Sequence, residues 1–359
     1  MNDNRTRRGF TLVEMLVVIS IISVLAALAL PAISSSRESA RHAACKSNLH
    51  EFGVGLASYA DRNGRYCSGA FDWRRDGAVT EYGWVADLVK QGTLVGQMLC
   101  PSSQHKLGET YQDLLYGTFT AAEKANPRLL GRASSVGSDG ILVINPCRQL
   151  IDLPPGSAQR RLIVEQKIWG KHFNSNYVAS WLLVRSGPRL AADGNLISTT
   201  AVPPDIKSLA STLGPTSPAR IDSTMVGSMV PFLACGGSTG QRFEETIGDV
   251  PAGIDLAEAM TDGPVEKTSL RPPTMASGTN SSEWSRRWSQ TLQDYRDFGP
   301  VHGRGRGSCN ILFADGAVRS FNDDNGDGVM NNGFPASPSS GFADDKVELS
   351  DMKITSQWK

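Results

Sequence analysis

The sequence predicts an α+β fold in which a long N-terminal membrane-spanning helix packs on an antiparallel β-sheet with loop-rich insertions. Three observations predict it. Residues 10–30 form an almost wholly apolar run, FTLVEMLVVISIISVLAALAL. Residues 34–62 continue it with apolar side chains near helical spacing on a charged background. The chain also carries 36 Gly and 19 Pro, a composition for turns and short strands more than for a helical bundle.

The apolar run comes first. At about 1.5 Å per residue its helix covers about 30 Å, one bilayer core. Arg5, Arg7 and Arg8 precede it, against Asp3, so the positive-inside rule keeps the N-terminus cytoplasmic and sends the rest out. A secretory signal peptide is the rival reading, but it has a shorter apolar core and a small-residue cleavage site behind it. Glu14 separates the two. A carboxylate inside a membrane helix costs about 2–4 kcal/mol on insertion scales, so it is retained for a purpose or snorkels to the interface.

The residues RRGFTLVEMLVVISIISVLAALALPAI resemble the N-terminal signal of type IV pilins and pseudopilins. The resemblance implies a pilin-like fold, cleavage by a prepilin peptidase between Gly9 and Phe10, and N-methylation of Phe10. It also implies that Glu14, then the fifth residue, meets the N-terminal amine of a neighbouring subunit during assembly. Two opposite charges buried together are tolerable only as a pair, which agrees. Pro31 falls where many pilins carry a helix-kinking proline and removes one backbone hydrogen bond. Losing three arginines and one aspartate from 36 charges of each sign leaves the processed chain at −2.

Beyond the membrane, Ala44, Leu49, Phe52, Leu56 and Tyr59 form the stripe expected to dock on the sheet. Arg37, Glu38, Arg41, Lys46 and Glu51 take the other sides. Gly53 and Gly55 weaken the helix but permit close packing, and Asn63-Gly64 is a natural stop. His42 and His50 read as solvated or packed side chains. The expected organisation is a leader at 1–9, a membrane helix at 10–33, its continuation at 34–64, a β-rich head at 65–322 and a C-terminal segment at 323–359.

Three further pieces, ARHAACKSNLHEFGVGLASYADRNGRY, Leu99-Cys100-Pro101-Ser102 and FGPVHGRGRGSCNILFADGAVRSF, look like a planctomycete-type pilin-like family of unknown function. A C-terminal His…Asp-Gly element names that family. Here it falls on His302, Asp315 and Gly316, with twelve intervening residues against the family's usual nine; the extra ones lie in the run 303–307. Read from the residues alone, 308–314 and 317–321 are paired strands, and Asp315-Gly316 is the tight turn between them.

Asp323, Asn325 and Asp327, with Gly328 and Asn331, are spaced like positions 1, 3, 5, 6 and 9 of a calcium loop. Phe334 stands at position 12, so the closing carboxylate would come from Asp344, Asp345 or Glu348. Ca2+ is the one cofactor expected; a solvated acidic turn is the plainer account of the same residues.

Six cysteines, at 45, 67, 100, 147, 235 and 309, all follow the membrane run and would be exported, where disulfides are permitted. They allow 15 full pairings, and buried free thiols are the alternative. With no C-x-x-C pair, zinc is not expected. Strands are expected at 140–144 and 177–184. Trp181, Trp284 and Trp288 either pack in the core or line a ligand face.

No Walker loop, HExxH or G-x-S-x-G occurs, and no catalysis is expected. Basic and acidic residues balance at 36 each, without the surplus a nucleic-acid binder needs. The function expected is a structural subunit of a type IV pilus-like or pseudopilus filament. It would sit in the cytoplasmic membrane as a single-pass protein, its head in the periplasm or on the cell surface, with prepilin peptidase and other pilin-like subunits as partners. The alternatives are a type II secretion minor pseudopilin, a non-polymerising anchored protein that binds a glycan or other ligand, and an exported hydrolase using His302 and Asp315.

Overall fold

The structure is a computed structural model and describes residues 10–138, 140–197, 204–303 and 306–352. The leader, with Gly9, lies outside the described residues.

Helix α1 (Leu12–Asn63) runs without interruption from the apolar segment into the head, with Pro31 inside it. Gly64 ends it in the left-handed conformation, φ 69°, and its N–H donates to the Ala60 carbonyl. The buried stripe is Cys45, Leu49, Phe52, Leu56 and Ala60. Its steps of three and four residues keep one face inward. Ala44 faces outward, so the stripe begins one residue later than expected, at a cysteine.

That stripe lies on a four-stranded antiparallel sheet. Strands β1 (Tyr177–Ala179), β2 (Pro231–Cys235), β3 (Ser308–Phe313) and β4 (Val318–Asn322) stand side by side in chain order. β3 and β4 are the expected hairpin, with Val318 opposite Leu312 and Asn322 opposite Ser308. Gly316 takes φ 82° at the turn, and Asp315 Oδ1 accepts from the Ala317 N–H at 3.0 Å. Asp315 is exposed and fully accounted for by turn chemistry. β2 is buried throughout, which matches its unbroken apolar run, and β3 is buried from Cys309 to Phe313 with Asn310 as the polar residue among them.

Helix α1 meets the sheet and a neighbouring helix closely because one position toward each lacks a Cβ. A Cβ on Gly53 would stand 2.9 Å from Leu312 Cδ1, and one on Gly55 would stand 2.4 Å from Leu88 Cδ2, on helix α2 (Trp84–Lys90). Both glycines are interfacial, as expected.

The middle of the chain is less β-rich than expected. The strand expected at 177–184 stops at Ala179, because Ser180 Oγ accepts from the Leu183 N–H and starts the helix Trp181–Arg185. At 140–144, only Leu142–Val143 pairs, with Ser135–Val136. Ser157, Ser217 and Asn280 cap further short helices in the same way. Trp181 and Trp288 are buried, their indole N–H groups donating to Ile206 and Gly194 carbonyls at 2.8 and 2.9 Å, and Trp284 packs on the same core. The tryptophans are core side chains. Residues beyond 322 pack as well: Phe334 and Phe342 join Val265 and Leu292 in a second small apolar cluster.

Candidate functional site

The N-terminal half of α1 stands clear of the head. Its large apolar side chains are exposed, from Leu12 at 80% to Ile33 at 50%, as is Phe10 just before it at 68%. It is the one helix among the described residues long and apolar enough to cross a membrane. Thr11 caps it: Thr11 Oγ1 accepts from the Glu14 N–H at 3.2 Å, and Glu14 Oε2 accepts from the Thr11 N–H at 2.9 Å. In the single chain, Glu14 therefore holds the first turn of the helix.

The second constellation lies where α1 enters the head. Cys45 comes from α1, Cys100 from the loop after the short helical turn Val95–Gln97, Cys235 from the end of β2, and His302 from the residues leading into β3. All four are buried, and their ligand atoms lie within 4.8 Å of one another. Cys45 Sγ is 3.4 Å from Cys235 Sγ, and His302 Nε2 is 3.4 Å from both Cys100 Sγ and Cys235 Sγ. Backbone bonding fixes the loops. Asn176 Oδ1 accepts from the Cys100 N–H at 2.8 Å, and its Nδ2 donates to the Cys100 carbonyl at 3.2 Å. His302 pairs with Ser308 through both backbone groups.

A polar ring surrounds these atoms. His302 Nδ1 is buried, makes no regular hydrogen bond among the described residues, and lies 3.5 Å from Glu38 Oε1. Burial would raise the Glu38 carboxyl, but donors from Ser102 and Gly303, together with His302, hold it below its ordinary value. Tyr177 OH donates to Cys45 Sγ at 3.6 Å. Hydrogen bonds from Cys100 and Cys235 lower the Cys45 thiol, and burial pushes the Cys235 thiol up. His42 is engaged elsewhere, its Nε2 2.7 Å from Asn310 Oδ1. A cleft of about 290 Å³, lined by Glu38, His42 and His302 among others, opens beside the group.

Residues 4–30 match the family described as the prokaryotic N-terminal methylation motif. The chain is a prepilin-like protein. Residues 34–112 match a family described as a protein of unknown function (DUF1559). This prepilin-like protein has no match among curated proteins. Nor does any solved structure match it.

The second match includes Cys45 and Cys100 and stops short of Cys235 and the His302…Asp315 element. The structure also separates that element. His302 stands before β3 and Asp315 after it, so the pair shares no site. The cysteine cluster was missed because C-x-x-C spacing detects ligands supplied by one turn, whereas these four come from four segments. Cys45, Cys100 and His302 each sat in a motif noted for another reason; only the fold adds Cys235.

In the acidic loop, Asp323 accepts from the Gly326 and Gly328 N–H groups at 2.6 and 2.9 Å, and Asp327 Oδ1 from Val329 at 3.0 Å. Asn325 Nδ2 donates to Asp327 and Asp344, both at 3.0 Å. Asn331 Oδ1 accepts from Gly333 and Phe334. Glu348 reaches back to the Asp324 and Asn331 N–H groups at 2.8 and 3.0 Å.

Proposed function

We propose that this chain is a structural subunit cut between Gly9 and Phe10 by a prepilin peptidase, methylated on Phe10, and assembled through its N-terminal helix into a type IV pilus-like or pseudopilus filament. The observation that supports it is the continuity of α1. One helix carries a bare apolar half, residues 12–33, and a half docked in the head from Cys45 onward. Such a helix serves as a membrane anchor before assembly and as a packing element after it. In the filament Glu14 would exchange its cap on Thr11 for the amine of a neighbour. The head would lie outside the cytoplasmic membrane, in the periplasm or on the cell surface.

Peptide mass spectrometry of the protein from native membranes tests the processing, and shearing of cells tests the assembly. A peptide beginning at methylated Phe10 and release into the sheared fraction are expected. A retained leader, or a processed protein that stays wholly with membranes, would overturn the filament reading. A cleft of about 640 Å³ lined by Lys106, Trp169, His172 and Asp249 among others favours a second reading, an anchored protein that binds a ligand through its head.

Calcium in the 323–331 loop is a separate proposal, with Asp323, Asn325, Asp327 and Asn331 as ligands. What supports it is that Asp344 and Glu348 reach the same loop from a later segment, supplying carboxylates where Phe334 cannot. Calorimetry on the full chain in detergent should give heat with about millimolar calcium, the range of extracellular sites, and a raised melting temperature. No heat and no shift would end it.

A further inference from the structure

We propose that Cys45, Cys100, Cys235 and His302 bind one zinc ion, which clamps the membrane helix to the sheet. A tetrahedral zinc with bonds of about 2.3 Å to sulfur and about 2.0 Å to nitrogen separates its ligand atoms by about 3.5–3.8 Å. Three separations in the group are 3.4 Å, and none exceeds 4.8 Å. Small side-chain rotations therefore close the polyhedron around an ion. The donor set is three soft sulfurs and one imidazole, which suits zinc and not calcium or magnesium. Four protein ligands leave no open position, so the site is structural and not catalytic.

The surroundings match what such a site needs. Metal-bound histidines almost always give their second ring N–H to a carboxylate, carbonyl or water, which fixes the tautomer. Here Nε2 faces the sulfurs and Nδ1 faces Glu38, 3.5 Å away, a carboxylate itself held by Ser102 Oγ at 2.7 Å and the Gly303 N–H at 3.3 Å. The Tyr177 hydroxyl offers its proton to Cys45 Sγ. Lys106, whose Nζ lies 3.4 Å from the Cys100 carbonyl, places a positive charge beside an otherwise anionic centre. The cleft beside Glu38 and His302 supplies an entry path.

A disulfide explains the group less well. Three thiols cannot all pair with one another, and a Cys45–Cys235 bond would strand Cys100 beside a buried imidazole. Zinc uses all four side chains at once. Its position gives it a task, because Cys45 is the first buried residue of the α1 stripe. The clamp thus sits where the free helix becomes the docked helix, and it holds whether or not the chain polymerises.

The test is elemental analysis of the full-length protein, purified in detergent without chelators. About one zinc per chain is expected, with X-ray absorption giving three sulfur neighbours and one nitrogen. His302→Ala should lose the metal, and His302→Cys, which keeps four ligands, should retain it. Glu38→Gln should weaken zinc binding about 10–100-fold, whereas Cys147→Ser, buried outside the group, should leave it unchanged. Should His302→Ala fail to fold, removing zinc from the wild type with a strong chelator provides the same reading as a fall in melting temperature reversed by zinc. The proposal is overturned by metal-free protein whose non-reducing peptide map joins any of Cys45, Cys100 and Cys235 in a disulfide. It is equally overturned by metal-free protein with three alkylatable thiols that zinc does not protect.

Discussion

Arg185→Met should cost about 3–5 kcal/mol, the loss expected when one partner of a buried ion pair is removed. Arg185 and Asp76 are fully enclosed, with Nη1 and Nη2 donating to Oδ1 and Oδ2 at 3.0 and 2.6 Å. The guanidinium also donates to the Lys207 and Val184 carbonyls at 2.7 and 3.0 Å. Methionine fills much of the volume but strands the carboxylate and both carbonyls. With total stabilities of about 5–15 kcal/mol, that loss is a large fraction of the fold. The sign of the pH dependence follows. Burial already lifts the Asp76 carboxyl above its ordinary value, with Arg185 pulling the other way. Without Arg185 the folded value rises further above an unfolded value of about 3.9. Protonation of Asp76 then contributes stability that is fully present below about pH 4 and is lost as pH rises through the raised folded value. Denaturant unfolding of both proteins at pH 4.5 and 7.5 should therefore show a smaller gap at the lower pH. A loss under 1 kcal/mol at pH 7.5 would mean that the pair is not what secures this part of the head.

Phe52→Ala should cost a similar 3–5 kcal/mol, but its effect should be felt at the stem. Phe52 is fully buried on α1, its ring 5.6 Å from Trp84 and 5.4 Å from Tyr177, the latter edge-on at 83°. It therefore ties the helix to α2 and to β1 at once. Removing it leaves a cavity that cannot collapse easily, because Gly53 and Gly55 have already brought the backbone as close as Leu312 and Leu88 allow. Limited proteolysis with thermal melting is the measurement. Earlier cleavage within residues 34–63, together with a lower melting temperature, is expected. Unchanged cleavage in a destabilised variant would mean that the stem stays docked without this ring.

The N-terminal helix was largely legible in the sequence, because its signals are local. The apolar run sets the length of the membrane helix, helical spacing sets the docked face, and Gly64 stops the helix where a left-handed residue is needed. The hairpin at 308–322 was legible for the same reason, since Asp-Gly turn chemistry acts within four residues. The middle was not. Ser180 ends a strand by capping a helix, a choice between two local hydrogen-bonding patterns that β-propensity alone does not reveal.

The sequence by itself determined the class of protein: the methylation-motif match at residues 4–30, Glu14 and the apolar helix belong to one contiguous segment, and reading them needs no fold. Only the tertiary structure decided which distant residues meet. Strand order brings Cys235 beside Tyr177 and sets β2 next to β3, and the docking of α1 lays Cys45 over both. The ligand group and the Asp76–Arg185 pair are products of that arrangement. Their members lie up to 257 positions apart, from Cys45 to His302. Spacing along the chain carries information only where one turn or one helix supplies all the partners.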